Sequence, residues 1–214
     1  MIDAENITKV YNKVKILDNI SLLIKPSTVQ FLTGKSGTGK TTFLRILAGL
    51  ENYVDLNNAT QIFSNDQITY VPQVNSLWNN LKVIENITLY RTEILKQSKA
   101  EALASCQWLF DELNINHLLK RFPSKLSSGE HQRIALARAL ASEKKFVLLD
   151  EITANLDFEN KAIIRNIITS ATQKGNSFLI ISHDLHFISS FSTKCLVIEN
   201  GKLTEKQVSE YGTN

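Results

Sequence analysis

Apolar and polar positions change period several times along this chain, and the changes mark out its elements. Residues 2–11 and 16–24 alternate imperfectly and are rich in Ile and Val, with Asn12-Lys13 between them, which predicts an antiparallel strand pair. Val29-Gln30-Phe31-Leu32-Thr33 is a further apolar run. It leads into the glycine-rich Gly34–Thr42 and then into Phe43-Leu44-Arg45-Ile46-Leu47, a helix that Gly49 is placed to cap. Asn52 to Asn58 is turn-rich, and short strands are predicted at about 60–64 and 67–71, the second ended by Pro72. Gln73 opens a loop through Asn75, Ser76, Leu77, Trp78, Asn79 and Asn80, whose Leu77 and Trp78 are read as exposed.

From about 81 to 122 the texture is helical. Ser98-x-x-Glu101 is a capping box, with Ala102, Cys106, Phe110 and Leu113 at helical spacing behind it. Arg121-Phe122-Pro123 breaks this region, and a new helix begins at Leu126-Ser127-Ser128-Gly129-Glu130. Its serines and glycine supply a cap and bare N–H groups, a start suited to an anion. Phe146-Val147-Leu148-Leu149 and Ser177-Phe178-Leu179-Ile180-Ile181 are short apolar runs without alternation. That pattern belongs to strands buried on both faces of a parallel sheet. Between them Phe158, Ala162, Ile163, Ile164, Ile167, Ile168 and Ala171 predict an amphipathic helix closed by Gly175. Asn200-Gly201 signals a final hairpin, and the tail after about Thr204 reads as polar and short.

Size and charge narrow the classes. The 214 residues, 43% of them hydrophobic, suffice for one substantial core. No apolar run approaches the roughly eighteen residues of a membrane span, and the acidic Met1-Ile2-Asp3-Ala4-Glu5 is not a signal peptide, so a membrane role requires a partner. The formal charge is +3 with the basic residues dispersed, which argues against a nucleic-acid partner. Cys106 and Cys195 lie far apart in apolar settings and read as small core residues of a reduced cytosolic protein.

Gly34-Lys35-Ser36-Gly37-Thr38-Gly39-Lys40-Thr41-Thr42 fits the P-loop pattern, with the strand before it and the helix after it that the pattern requires. Glycines let backbone N–H groups turn inward as a nest for phosphate, and the following helix adds its free N–H groups and dipole. Lys40 would reach the β- and γ-phosphates, and the Thr41 hydroxyl would hold Mg²⁺. Other polar groups stand at the ends of predicted strands: Asp150-Glu151 after one, His183 after another. In an open α/β sheet these ends converge on one ligand. Tyr11, ending the first strand, either stacks on an adenine ring or packs on its neighbour; spacing alone favours neither.

Taken together these motifs resemble the ATP-binding cassette (ABC) ATPases over about residues 2–205. Besides the P-loop, the resemblance rests on Gln73 as the Q-loop glutamine and on the signature Leu126-Ser127-Ser128-Gly129-Glu130, followed by His131-Gln132-Arg133. It rests further on the Walker B run Phe146 to Asp150, on Glu151, on the Ala154-Asn155-Leu156-Asp157 D-loop and on the switch His183. It implies an α/β fold: a P-loop NTPase core with a mainly parallel sheet, an antiparallel β subdomain and an inserted α-helical subdomain at about 74–126, within one domain spanning 1–214. Tyr11 becomes the adenine-stacking aromatic. Asp150 would hold the Mg²⁺ shell with Thr41, Gln73 would sense the γ-phosphate and Mg²⁺, and Glu151 would activate the attacking water with Lys40 and His183 neutralising charge. The Ser127 hydroxyl and Gly129 N–H would serve the nucleotide of an opposite subunit, with Ser128, Glu130 and Asp157 also counted among the nucleotide-binding residues. Two copies, read as a homodimer, would close head to tail over ATP.

Two residues depart from the family pattern: Ser128 where glycine is usual, and Ile152 where proline usually follows the glutamate. A helix start with ordinary negative φ accepts serine, so Ser128 predicts retained activity. Only about fifty residues separate Gln73 from the signature, too few for a coiled-coil insertion, and one cassette stands alone. The leading expectation is therefore the ATPase subunit of a membrane transporter, peripheral on the cytoplasmic face and bound to an integral-membrane permease. The alternative is a soluble assembly ATPase. Gln73 through Ile87 looks most like amino-acid importer ATPases, with lipoprotein-release or peptide-export ATPases next. Leu77 and Trp78 are expected to line the permease groove, or else to be ordinary core residues. The short segment before Gln73 and the absent C-terminal extension suggest a minimal cassette.

Overall fold

The computed structural model describes residues 1–55, 60–63, 66–74 and 77–211, and the side chains of 60–62 are left aside. Parts of the expected turn at 52–58, of the strand at 60–64 and of the loop at 75–76 therefore lie outside the described residues. Strands β1 (Ile2–Tyr11) and β2 (Val14–Ile24) pair antiparallel, and Asn12 and Lys13 both take positive φ, as the tight hairpin requires. β4 (Asn52–Val54) and β5 (Thr60–Ile62) extend this pair into a sheet of order β2-β1-β4-β5. Sequence reading made 52–54 part of a turn. These three residues instead pair with β5, and Val54 also pairs with Thr8 of β1.

The second sheet has the order β10-β9-β3-β8-β7-β6, built from β3 (Val29–Thr33), β6 (Ile68–Val71), β7 (Phe146–Asp150), β8 (Ser177–Ile181), β9 (Lys194–Glu199) and β10 (Lys202–Gln207). All its pairings are parallel except β9 with β10, whose Asn200-Gly201 turn again has two positive φ values. The polar tail after Thr204 supplies the end of β10 and then the short helix Val208–Tyr211.

Every residue of β7 and β8 is buried, as uninterrupted apolar runs require. Their side chains divide by the period of two. Phe31, Val147, Leu149, Phe178, Ile180 and Val197 join one core, while Leu32, Phe146, Leu148, Leu179, Ile181 and Ile198 join the other. The second core receives α1 (Lys40–Leu47) and the β1–β2 pair. The first receives α2 (Val83–Glu93), α3 (Lys99–Glu112), α4 (Ser128–Ala141) and α5 (Phe158–Gln173). The P-loop helix and the signature helix therefore lie on opposite faces of one sheet.

Local signals end the helices where the sequence says. After α1, Gly49 has φ 70, its N–H bonds Ile46 O, and the Leu50 N–H reaches Arg45 O, the two bonds of a Schellman cap. At α3 the Ser98–Glu101 box forms in both directions. Leu77 departs from expectation. It is 7% exposed and joins the first core, because the loop folds back over α2. The buried Asn86 fixes that loop by donating to the carbonyls of Trp78, Leu81 and Lys82 and accepting from the Trp78 N–H at 2.8 Å. Of the expected pair, Trp78 is the one that stays exposed.

Candidate active site

The carboxyl ends of β3, β7 and β8 bring the expected groups together. Gly39 caps α1 at φ 98, where a Cβ would sit 2.7 Å from Ile16 Cγ2, so only glycine lets the loop turn this close to β2. Lys40 is 6% exposed, and its ammonium donates to Gly34 O and Lys35 O, both at 2.8 Å, folding the loop around itself. Burial lowers its pKa, opposed by the charges of Glu151 and Asp150. Tyr11, at the hairpin end of β1, is 44% exposed, with the Lys9 ammonium 5.0 Å over its ring. Lys9 is in turn held by Glu51 at 3.1 Å and by the backbone and side-chain oxygens of Asn52.

Asp150 closes β7 at 3% exposure. Burial raises its pKa, offset by hydrogen bonds from the Thr41 and Tyr70 hydroxyls, the latter at 3.1 Å. Burial and the Asp150 charge in turn push the Tyr70 phenol up, so it stays a neutral donor. The adjoining Glu151 has φ 51, a left-handed conformation that costs a non-glycine residue about 1–2 kcal/mol. It is held there by its N–H to Ile181 O at 3.1 Å and by its carbonyl accepting from Ala154 N. The reversal points its carboxylate out of the sheet. Gln73 Nε2 donates to Oε2 at 2.8 Å, and His183 Nε2 stands 3.3 Å from Oε1. Glu151, Ala154, Asn155 and His183 line a cavity of about 360 Å³.

Ile152 is 1% exposed and packs in the first core, so this departure exchanges a rigid residue for buried apolar area. Ser128 is the first residue of α4 and is not among the positive-φ residues, in keeping with the ordinary helix start expected for it. Ser127 caps α4 through Glu130 N at 3.3 Å, and Glu130 returns a bond to Ser127 N at 2.7 Å. Asp157 caps α5 through Asn160 N at 2.8 Å. These residues sit at the starts of α4 and α5, on the face opposite the P-loop helix. The signature helix reaches the site where Gln132 Nε2 donates to Gln73 O at 3.3 Å.

Sequence reading missed Tyr70, which orients Asp150, and Lys161, whose ammonium bonds Asp184 Oδ2 at 2.6 Å beside His183. Neither carries a local signal, since Tyr70 sits in an apolar strand and Lys161 among the polar positions of an amphipathic helix. Among the described residues no three His, Cys, Asp or Glu side chains converge to hold a metal ion. The Thr41 hydroxyl beside the Asp150 carboxylate is nevertheless a donor pair that suits Mg²⁺, which prefers one or two protein oxygens completed by phosphates and water.

Fold and site together define a P-loop nucleotide triphosphatase of the cassette type. A family profile described as ABC transporter matches residues 17–154, and the chain belongs to that family. It is 34% identical over 216 residues to the lipoprotein-releasing system ATP-binding protein LolD of Buchnera aphidicola subsp. Schizaphis graminum, covering 92% of this chain and 93% of that protein. It is 30% identical to the glutamine transport ATP-binding protein GlnQ of Bacillus subtilis, covering 97% and 90%. Among solved structures, a dimeric ATP-binding cassette in a post-hydrolysis state with ADP and Pi superposes with a TM-score of 0.82 at 24% identity, covering 97% of this chain and 99% of that one. The protein is an ATP-binding subunit of the ABC transporter type and an ATPase.

Proposed function

We propose that this chain hydrolyses ATP at a site completed by a second copy, and that closing and reopening the pair drives a membrane permease. The observation that carries the reading is Glu151, aimed out of the sheet beside the P-loop and contacted by both Gln73 and His183. Gly34 to Thr42 would cradle the phosphates, and Lys40 would leave its loop carbonyls for the β- and γ-phosphates. Thr41 and Asp150, with Gln73, would hold Mg²⁺, which supplies charge neutralisation on the phosphates when bound. Glu151 would accept a proton from the attacking water while the bond to the leaving ADP breaks and ADP takes its electron pair. His183 would donate to the γ-phosphate, and adenine would stack on Tyr11. Most of the barrier in phosphoryl transfer falls to positioning and charge stabilisation, which this arrangement provides.

Ser127, Ser128, Gly129, Glu130 and Asp157 would act on the nucleotide of the opposite subunit. Support comes from their place on the far face of the sheet and from the dimeric structural neighbour. Among the described residues no helix is long and apolar enough to cross a membrane. Membrane association would therefore be peripheral, through the permease, on the cytoplasmic face. A groove fits that contact: a cavity of about 200 Å³ lined by Tyr70, Trp78, Tyr90 and Arg138, with the Arg138 guanidinium 4.6 Å over the Trp78 ring. Trp78→Ala is expected to leave basal ATPase within about twofold while abolishing permease stimulation. A fully stimulated variant in the reconstituted complex would remove this surface from the proposal.

For the cargo, the names of GlnQ and of the glutamate/aspartate import protein GltL of Escherichia coli support import of an amino acid. Lipoprotein release is the second reading, favoured by the 34% identity to LolD. Co-purification of the permease from membranes tests both: a permease with a periplasmic-type amino-acid receptor supports the first, and a lipoprotein-handling one the second.

A further inference from the structure

We propose that Asn160 is a positioning residue for the signature. Its amide locks the first turn of α4 to the Asp157 cap of α5, and this contact within the chain is what demands glycine at 129. The inference rests on the composite-site reading above, because it concerns how the half offered to the opposite subunit is held. Gly129 is buried, and the Asn160 side chain stands where its Cβ would be. A Cβ at 129 would lie 2.6 Å from Asn160 Cγ and 2.7 Å from both Nδ2 and Oδ1, well inside contact distance. A free side-chain end would swing aside at little cost. This one is not free.

Asn160 Nδ2 donates to both oxygens of Asp157, at 2.9 and 3.0 Å, while its own N–H makes the cap bond at 2.8 Å. The cap N–H and the amide hold the Asp157 carboxyl below its usual range, so it remains the charged acceptor. Displacing the amide therefore loosens the end of the D-loop. On its other side the start of α4 is equally pinned. Arg133, one turn on, donates through Nη1 to Leu113 O at 2.8 Å and to Asn114 O at 3.2 Å, fixing the helix to the end of α3. The first turn of α4 is thus clamped between α3 and α5, and any shift it makes is passed to Asp157 through one flat amide. Only asparagine suits the place among near-isosteres: leucine lacks the donors, and aspartate would set a second carboxylate against Asp157.

The test is a double-mutant cycle on the full chain, with Gly129→Ala, Asn160→Ala and the pair, read as steady-state kcat and as the Hill coefficient for ATP. Gly129→Ala is expected to lower kcat at least about tenfold and Asn160→Ala about threefold, both with the Hill coefficient drawn towards 1. Binding of a non-hydrolysable ATP analogue at low protein concentration, where only a subunit's own P-loop engages, should be unchanged. The double variant should recover to the Asn160→Ala level, since the atoms that the added methyl group would meet are gone. Losses that multiply, or a double variant as inactive as Gly129→Ala, would show that glycine is demanded from across the interface and would overturn the proposal. So would wild-type turnover in Gly129→Ala. The composite-site reading fails separately, if ATP brings no pairing of Glu151→Gln chains.

Discussion

Glu151→Gln is expected to lower phosphate release by about two to four orders of magnitude while ATP still binds, the span that a positioned proton acceptor contributes. The substitution changes one atom and keeps the Cβ that the left-handed backbone at φ 51 already carries. Glutamine can still offer its amide oxygen to Gln73 Nε2, now 2.8 Å from Oε2, and its NH₂ towards His183, now 3.3 Å from Oε1. Geometry is retained and basicity is lost, so the water keeps its place but gives up no proton. With hydrolysis stopped, the ATP-closed pair should accumulate. The measurement is phosphate release together with light scattering of the purified chain with and without ATP. Turnover within about tenfold of the unsubstituted chain would sink the assignment of Glu151, because Asp184, which also lines the cavity, is already tied to Lys161 at 2.6 Å.

What the sequence made legible has a common physical basis. A six-residue loop between a strand and a helix, two uninterrupted apolar runs, one capping box and one serine cap are local: each signal lies within one turn or one strand of the structure it dictates. The P-loop, β7, β8 and the caps of α3 and α4 were readable for that reason. Features decided by partners distant in the chain were not. Asn52–Val54 is a strand because Thr8 and β5 are alongside it, while the Asn and Asp residues through Asn58 make the whole stretch read as turn. Leu77 is core because Asn86 folds its loop inward. The αL reversal at Glu151 runs against its residue type and is held by Ile181 O on a neighbouring strand. Tyr70 and Asn160 act through contacts with Asp150 and Gly129 that no spacing along the chain announces.

The same distinction bears on how the site is divided. Groups at the sheet ends were legible as one cluster because parallel strands must present their carboxyl ends together. The signature was legible as a helix start, yet nothing in its spacing tells which face of the sheet it takes. That face is settled by the alternation of β7 and β8, which sends α1 to one side and α4 to the other. A single chain so built holds its P-loop helix and its signature helix on opposite faces of the sheet, so its own signature does not close its own P-loop. Pairing of two copies is the simplest arrangement in which both are used.

The second large effect is expected at Lys40. Saturation with ATP at about a hundred times its dissociation constant should stabilise the unsubstituted chain by roughly 2.7 kcal/mol, which for a chain of this size is about 5–10 °C in Tm. In Lys40→Ala a hundredfold weaker affinity at the same ATP concentration leaves about 0.4 kcal/mol, a shift near the limit of detection. The effect should be this large because the ammonium is buried, with burial lowering its pKa, and a phosphate gives it a stronger acceptor than the Gly34 and Lys35 carbonyls it holds at 2.8 Å. Those two bonds also order the loop itself, so Lys40→Ala should lower the Tm of the ATP-free chain by a few degrees. Measuring both melting curves separates the two roles. A variant less stable without ATP but still shifted as far by ATP would mean that Lys40 shapes the loop without binding the nucleotide. An unchanged ATP-free Tm with the shift abolished would mean that its work begins only when the phosphates arrive.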